Sequence, residues 1–151
     1  MTRVKILQIN CNRSYPAYDL ALATAKEMGK DVDAAIKVTD PGIVVTGQGK
    51  GKGFSYIVTP SFSIYGCYAS PNKQVEELEE TLEQIQSIMR SRCDEFIVVG
   101  DFNAKFPQWG MKTTDKRGHI LIEWIAQHDL NVKNVGNKAT FYRKEYGSIL
   151  D

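Results

Sequence analysis

Hydrophobic and polar positions alternate along the chain with two different periods, and the switches between them mark elements. Val4–Asn10 is apolar-rich with a period of two, which predicts a strand. Ser14 is a good N-cap, Pro16 sits in the turn after it, and Leu20, Ala21, Ala25 and Met28 recur at helical spacing until Gly29 ends the run. A short run Ala34–Val38 follows, then turn chemistry at Asp40-Pro41-Gly42 and a β-branched run Ile43–Thr46. Gly47–Gly53 reads as a loop, and Phe54–Val58 and Phe62–Tyr68 read as strands joined through Thr59-Pro60-Ser61. Beyond the break at Pro71-Asn72, Val75, Leu78, Leu82, Ile85, Ile88 and Met89 form one helical stripe with glutamates opposite. Phe96–Val99 is a continuous apolar run stopping at Gly100-Asp101, the pattern of a buried strand. Ile120, Leu121, Trp124 and Ile125 give another helix, and Val132, Thr140–Tyr142 and Ile149–Leu150 supply short strands. No linker, repeat or low-complexity block interrupts residues 1–151, so the order predicts a single layered α/β or α+β domain.

Composition narrows the function classes. With 42% hydrophobic and 25% charged residues the chain is globular rather than disordered. A formal net charge of +1 gives no whole-chain signal for a polyanion partner, although a local basic patch remains open. No apolar run approaches the ~20 residues of a membrane span, and no secretory signal follows Met1, so an intracellular protein without a membrane is expected. Cys11, Cys67 and Cys93 are odd in number and widely spaced, which speaks against a disulfide framework or zinc knuckle.

The sharpest chemical signal is Val98-Val99-Gly100-Asp101-Phe102-Asn103. An apolar strand delivers an acid and an amide two residues apart, on one side if the chain stays extended. Such a pair suits a general base and a phosphoryl-oxygen donor, but it also suits an Asx-turn with no chemistry. Asn10 and Tyr68 end two other strands; Asn10 is either a ligand group or a side chain closing a turn, and Tyr68 either hydrogen-bonds a phosphate or is a half-buried strand tyrosine without that role. Lys50 and Lys52 lie in a glycine-rich stretch that lacks the order of a nucleotide P-loop, leaving a plain loop or a basic contact to a DNA backbone. Trp109 and Phe106 either stack on a base or pack their loop down. His119 with Glu123 has metal-ligand spacing and equally that of a solvated helix face.

Taken together, the ordered set resembles the endonuclease/exonuclease/phosphatase superfamily, and within it the apurinic-like endonuclease domain of non-LTR retrotransposons. The stretches that carry the resemblance are Ile6–Ser14, Tyr65–Asn72, Val98–Ala104, Pro107–Gly110, Arg117-Gly118, Thr140–Arg143 and Ser148–Asp151. The resemblance implies two mixed sheets packed face to face with helices outside and the motif-bearing strand ends at one rim. It implies that Asn10 is the first-strand active-site Asn and a weak metal candidate. Tyr68 would contact phosphate, Asp101 would orient or deprotonate the attacking water, Asn103 would hold the scissile phosphate, and Asp151 would orient a catalytic His. Lys50, Lys52, Asn72 and Trp109 become the candidate nucleic-acid contacts, DNA the partner, the nucleus the location, and Mg²⁺ or Mn²⁺ the cofactor of intact relatives.

The departures are equally specific. The family's metal-binding Glu after the first helix has no counterpart where Met28-Gly29-Lys30-Asp31 runs into Asp33–Ile36, and its Ser-Asp-His motif has none before Asp151. The expectation is an incomplete sandwich with weak or absent metal binding and impaired catalysis. Two other readings stand beside it, a non-catalytic remnant that binds nucleic acid and a phosphatase of small phosphate esters.

Overall fold

The computed structural model describes residues 6, 33–92, 95–134, 141–143 and 146–148. Within them β1 (Gly47–Gly51), β2 (Phe54–Val58) and β3 (Phe62–Tyr68) form an antiparallel meander. Helix α1 (Val75–Arg90) then carries the chain back to β4 (Glu95–Asp101), which pairs parallel to β3, so the sheet order is β1-β2-β3-β4. Helix α2 (Lys116–Gln127) follows, and β5 (Phe141–Arg143) and β6 (Tyr146–Ser148) form a separate antiparallel pair. This is a mixed α/β fold. The expected face-to-face packing of two sheets is not seen among the described residues, and the expected N-terminal strand and first helix lie outside them.

Period two sorts the sheet into two faces. Phe54, Tyr65 and Cys67 point to the face on which the helices pack, and join Leu78, Leu82, Ile85 and Met89 of α1 and Leu121 and Trp124 of α2 in one core. The stripe read from the sequence is therefore the packed one, and each fully buried Leu or Ile in it contributes ~1.5–3 kcal/mol. Glu76 and Glu77 in the first turn of α1 and Arg90 in its last complement the helix dipole.

Four expectations need correction. The glycine-rich stretch is not a loop: Gly47–Gly51 is β1, with only Lys52-Gly53 left as the hairpin turn. Glycine is a poor strand former, but here the cross-strand rings replace the missing side chains. Tyr56 lies over Gly49 and Phe54 over Gly51, so close that a Cβ at either would collide with the ring. Gly53 adopts φ +76 in the turn, a conformation glycine enters without strain. Conversely, the β-branched run Ile43–Thr46 is not itself a strand among the described residues, although the Thr46 N–H donates to the Val58 carbonyl of β2 (2.8 Å); Val44 and Val45 are exposed. Ala34–Val38 is likewise in no strand among the described residues, although Ala34, Ile36 and Val38 alternate half-buried with exposed neighbours and the Ile36 side chain covers Gly66. Phe96–Val99 is half-buried rather than buried, because β4 is an edge of the described sheet. Val132 lies in no strand.

Candidate functional site

The parallel register of β3 and β4 places Tyr68 directly beside Asp101, both at the C-terminal ends of their strands. Ligand groups in α/β sheets gather at this end. The two strand ends are then tied together beyond the ladder. Ala69 N–H donates to the Asp101 carbonyl (2.9 Å), and Asn103 Nδ2 donates to the Ala69 carbonyl (3.0 Å). Tyr68 is half-buried and Asp101 is only 5% exposed.

Asp101 and Asn103 meet, but not through strand alternation. The strand ends at Asp101, and Asn103 sits at φ +48, a left-handed conformation that asparagine tolerates better than most residues. An Asx-turn closes there, with the Asn103 N–H donating to Asp101 Oδ1 (3.2 Å). The turn brings the amide back over the rim and spends one of its two N–H donors on Ala69.

Of the candidate nucleic-acid contacts, Lys52 is held by α1. Its Nζ lies 2.6 Å from Glu80 and 3.6 Å from Glu77, and the hydrogen bond to Glu80 raises its pKa above the ordinary lysine value. Lys50 and Asn72 are exposed. Trp109 is not available for stacking on a base. It is 2% exposed, its indole N–H donates to the Ala104 carbonyl (3.1 Å), and Phe106 packs at 5.4 Å. A single turn of 3₁₀ helix, Pro107–Trp109, folds the ring inward. His119 is exposed, edge-on to Phe106. Burial pushes the Cys67 thiol up to about 12, so it stays protonated and unreactive. Asn10 and Asp151 lie outside the described residues.

A shallow depression opens beside Tyr68, lined among others by Ser70, Lys73, Glu77 and Arg117. Arg117 was matched in the sequence without a role. The signal that marks it is its position: Lys116 and Arg117 occupy the first turn of α2, where the helix dipole disfavours cations and no acid is present. Among the described residues no group of three or more His, Cys, Asp or Glu side chains comes together to hold a metal ion, and no helix is long and apolar enough to cross a membrane.

Comparison with known proteins adds three findings. The family described as endonuclease-reverse transcriptase matches residues 62–151, which includes both rim strands. A solved structure, the endonuclease domain of TRAS1, a telomere-specific non-LTR retrotransposon, is similar at 32% identity and a TM-score of 0.52. That match covers 64% of this chain and 44% of the other, so the chain spans less than half the length of that domain. No curated protein matches.

Proposed function

Because the chain belongs to the endonuclease-reverse transcriptase family, we propose that it is a retrotransposon-type endonuclease-like domain whose rim at Tyr68, Asp101 and Asn103 addresses a DNA phosphodiester. The observation that carries the reading is the in-register pairing of Tyr68 with Asp101 at adjacent parallel strand ends. On this reading the phenol, the carboxylate and the amide of these neighbouring residues would address one phosphate. In this reading the Asp101 carboxylate orients a water and takes its proton as the water attacks phosphorus, while the P–O bond to the departing sugar oxygen breaks and that oxygen takes up a proton from solvent. The Tyr68 hydroxyl donates to a non-bridging oxygen, and the remaining N–H of Asn103 supports the same group. The work is done on DNA and hence in the nucleus, with the 151 residues acting as one domain.

Divalent cations of the Mg²⁺ class take hard oxygen ligands in near-octahedral geometry. Asp101 brings one carboxylate to the rim, and the described donors do not by themselves form a site. Asn10 and Asp151 stay candidates, as first-strand ligand and as partner to a histidine. A second reading, binding without cleavage, draws on one observation: the Asn103 amide is already engaged by Ala69.

Nicking of supercoiled plasmid in the presence of Mg²⁺ tests both. Cleavage that falls by about 10²–10⁴-fold in Asp101→Ala is the expected outcome for a general base. Cleavage undiminished in that variant refutes the assignment. DNA binding without cleavage by the unaltered chain selects the second reading.

A further inference from the structure

The start of α2 grips both loops that leave the rim. Asp115, its N-cap, accepts through Oδ1 from the N–H groups of Gly118 (2.8 Å) and Lys105 (3.0 Å), while its own N–H donates to the Lys105 carbonyl (3.1 Å). This fastens the loop that carries Asn103. Two residues further on, Arg117 Nη1 donates to the Ser70 carbonyl (2.9 Å), in the loop that follows Tyr68.

Arg117 is only 8% exposed, and its Nε has no hydrogen-bond partner among the described residues. A cation held this way, at the positive end of a helix, is costly to bury. Its neighbour Lys116 makes no such commitment; it stays exposed, 3.9 Å from Glu76. What the buried guanidinium secures is continuous with the rim. Ser70 follows Ala69, whose N–H is bound to Asp101 and whose carbonyl is bound to Asn103. The planar guanidinium is a rigid fork, so the contact fixes direction as well as distance.

We propose that Arg117 is a positioning residue: by holding the Ser70 carbonyl it keeps the Tyr68 side of the rim in place against Asp101 and Asn103. The inference rests on the reading of that rim as the reacting site, but its structural half can be tested without any cleavage.

The full chain is compared with its Arg117→Gln, Arg117→Lys and Lys116→Gln variants by amide hydrogen exchange and by plasmid nicking. In Arg117→Gln, the amides of Ala69 and Asn103 exchange about tenfold faster or more, the scale set by one lost charge-assisted hydrogen bond. The β2–β3 ladder amides of Ile57 and Ile64 stay within about twofold, because the opening is local. Nicking loses kcat at nearly constant KM, the signature of an interaction that matters in the transition state. Arg117→Lys, which keeps the charge but not the fork, is intermediate, and Lys116→Gln behaves as the unaltered chain. Exchange unchanged at Ala69 and Asn103 overturns the proposal, and so does acceleration spread evenly over the ladder, which marks a merely structural arginine. If the unaltered chain does not nick DNA, the catalytic reading fails while the exchange arm still decides the role of Arg117. If Arg117→Gln does not fold, Arg117→Lys carries the same comparison.

Discussion

Gly118 lies inside α2, where replacing glycine by alanine ordinarily stabilises a helix by up to ~1 kcal/mol. Here the opposite sign is expected. A Cβ at Gly118 would stand 1.9 Å from the Lys105 carbonyl oxygen and 2.7 Å from its carbon, against a floor of 3.0 Å for real contacts. The obstacle is backbone, so no side chain can swing aside. Either the helix start or the Lys105 loop must move, and both hydrogen bonds between Asp115 and Lys105 stretch. Two such bonds contribute about 1–3 kcal/mol together, and forced overpacking costs a further ~1–3 kcal/mol. After subtracting the gain in helix propensity, Gly118→Ala should lose about 3 kcal/mol, a large share of the ~5–15 kcal/mol that holds a domain together. Urea unfolding followed by tryptophan fluorescence measures it, provided the slope with denaturant is unchanged. Gly47→Ala is the control, since a Cβ there meets Val58 at an ordinary 3.5 Å. A Gly118→Ala protein as stable as the parent, or more so, would refute the reasoning and the close approach it rests on.

Trp109→Ala should cost ~3–5 kcal/mol, the range for emptying a large buried aromatic site, and loss of near-ultraviolet circular dichroism would accompany it; a change under about 1 kcal/mol would mean that the ring is exposed after all. His128 packs against Trp124 at 4.9 Å, and its Nε2 lies 3.0 Å from the Gln86 amide, which is best satisfied with its nitrogen toward His128 and its oxygen toward Arg90. Burial first, and then the Arg90 charge, lower the His128 pKa below 6.5. The unfolded chain therefore binds this proton first as pH falls, so the stabilising contribution is complete above 6.5 and is lost as pH drops through the folded value. Between about pH 7 and 5 the melting temperature should fall more steeply for the parent than for His128→Gln, whose side chain does not titrate; parallel slopes would remove His128 from the account.

Much of the scaffold was legible because its elements are long and strictly periodic. The α1 stripe buries Leu78, Leu82, Ile85 and Met89 as its spacing selects, and Phe54–Val58 and Phe62–Tyr68 are strands as read, buried on both faces. What failed depended on contacts with residues distant along the chain. Gly49 and Gly51 became strand through the rings of Tyr56 and Phe54, a pairing that propensity does not register. Val44 and Val45 have strand-forming side chains but are exposed and lie in no strand among the described residues. At the site, Tyr68 and Asp101 were found as strand-end residues, and the structure adds that they are in-register partners. The Asx-turn by which Asn103 meets Asp101 was one of two readings the residues allowed, but its left-handed residue cannot be inferred from an extended pattern. Arg117 went unassigned since its meaning lies in Ser70, far away in sequence. Trp109 carried two readings that only burial separates.

The topology also orders events in time. The pairs β1–β2 and β2–β3 join neighbours along the chain, so this meander closes with little loss of entropy. The β3–β4 pairing is different in kind, matching Phe62 to Glu95 across the whole of α1. Non-local parallel pairing is the slow step of such folds. The pairing of Tyr68 with Asp101 does not exist before that step, so the rim is assembled late while the meander is assembled early. In refolding followed by pulsed hydrogen exchange, Ile57 and Ile64 should gain protection ahead of Ala69, whose N–H waits for the Asp101 carbonyl; simultaneous protection would contradict that order. A chain released in the middle of folding would then carry a recognisable meander and no site, and whatever chemistry the rim performs is withheld until β4 is docked.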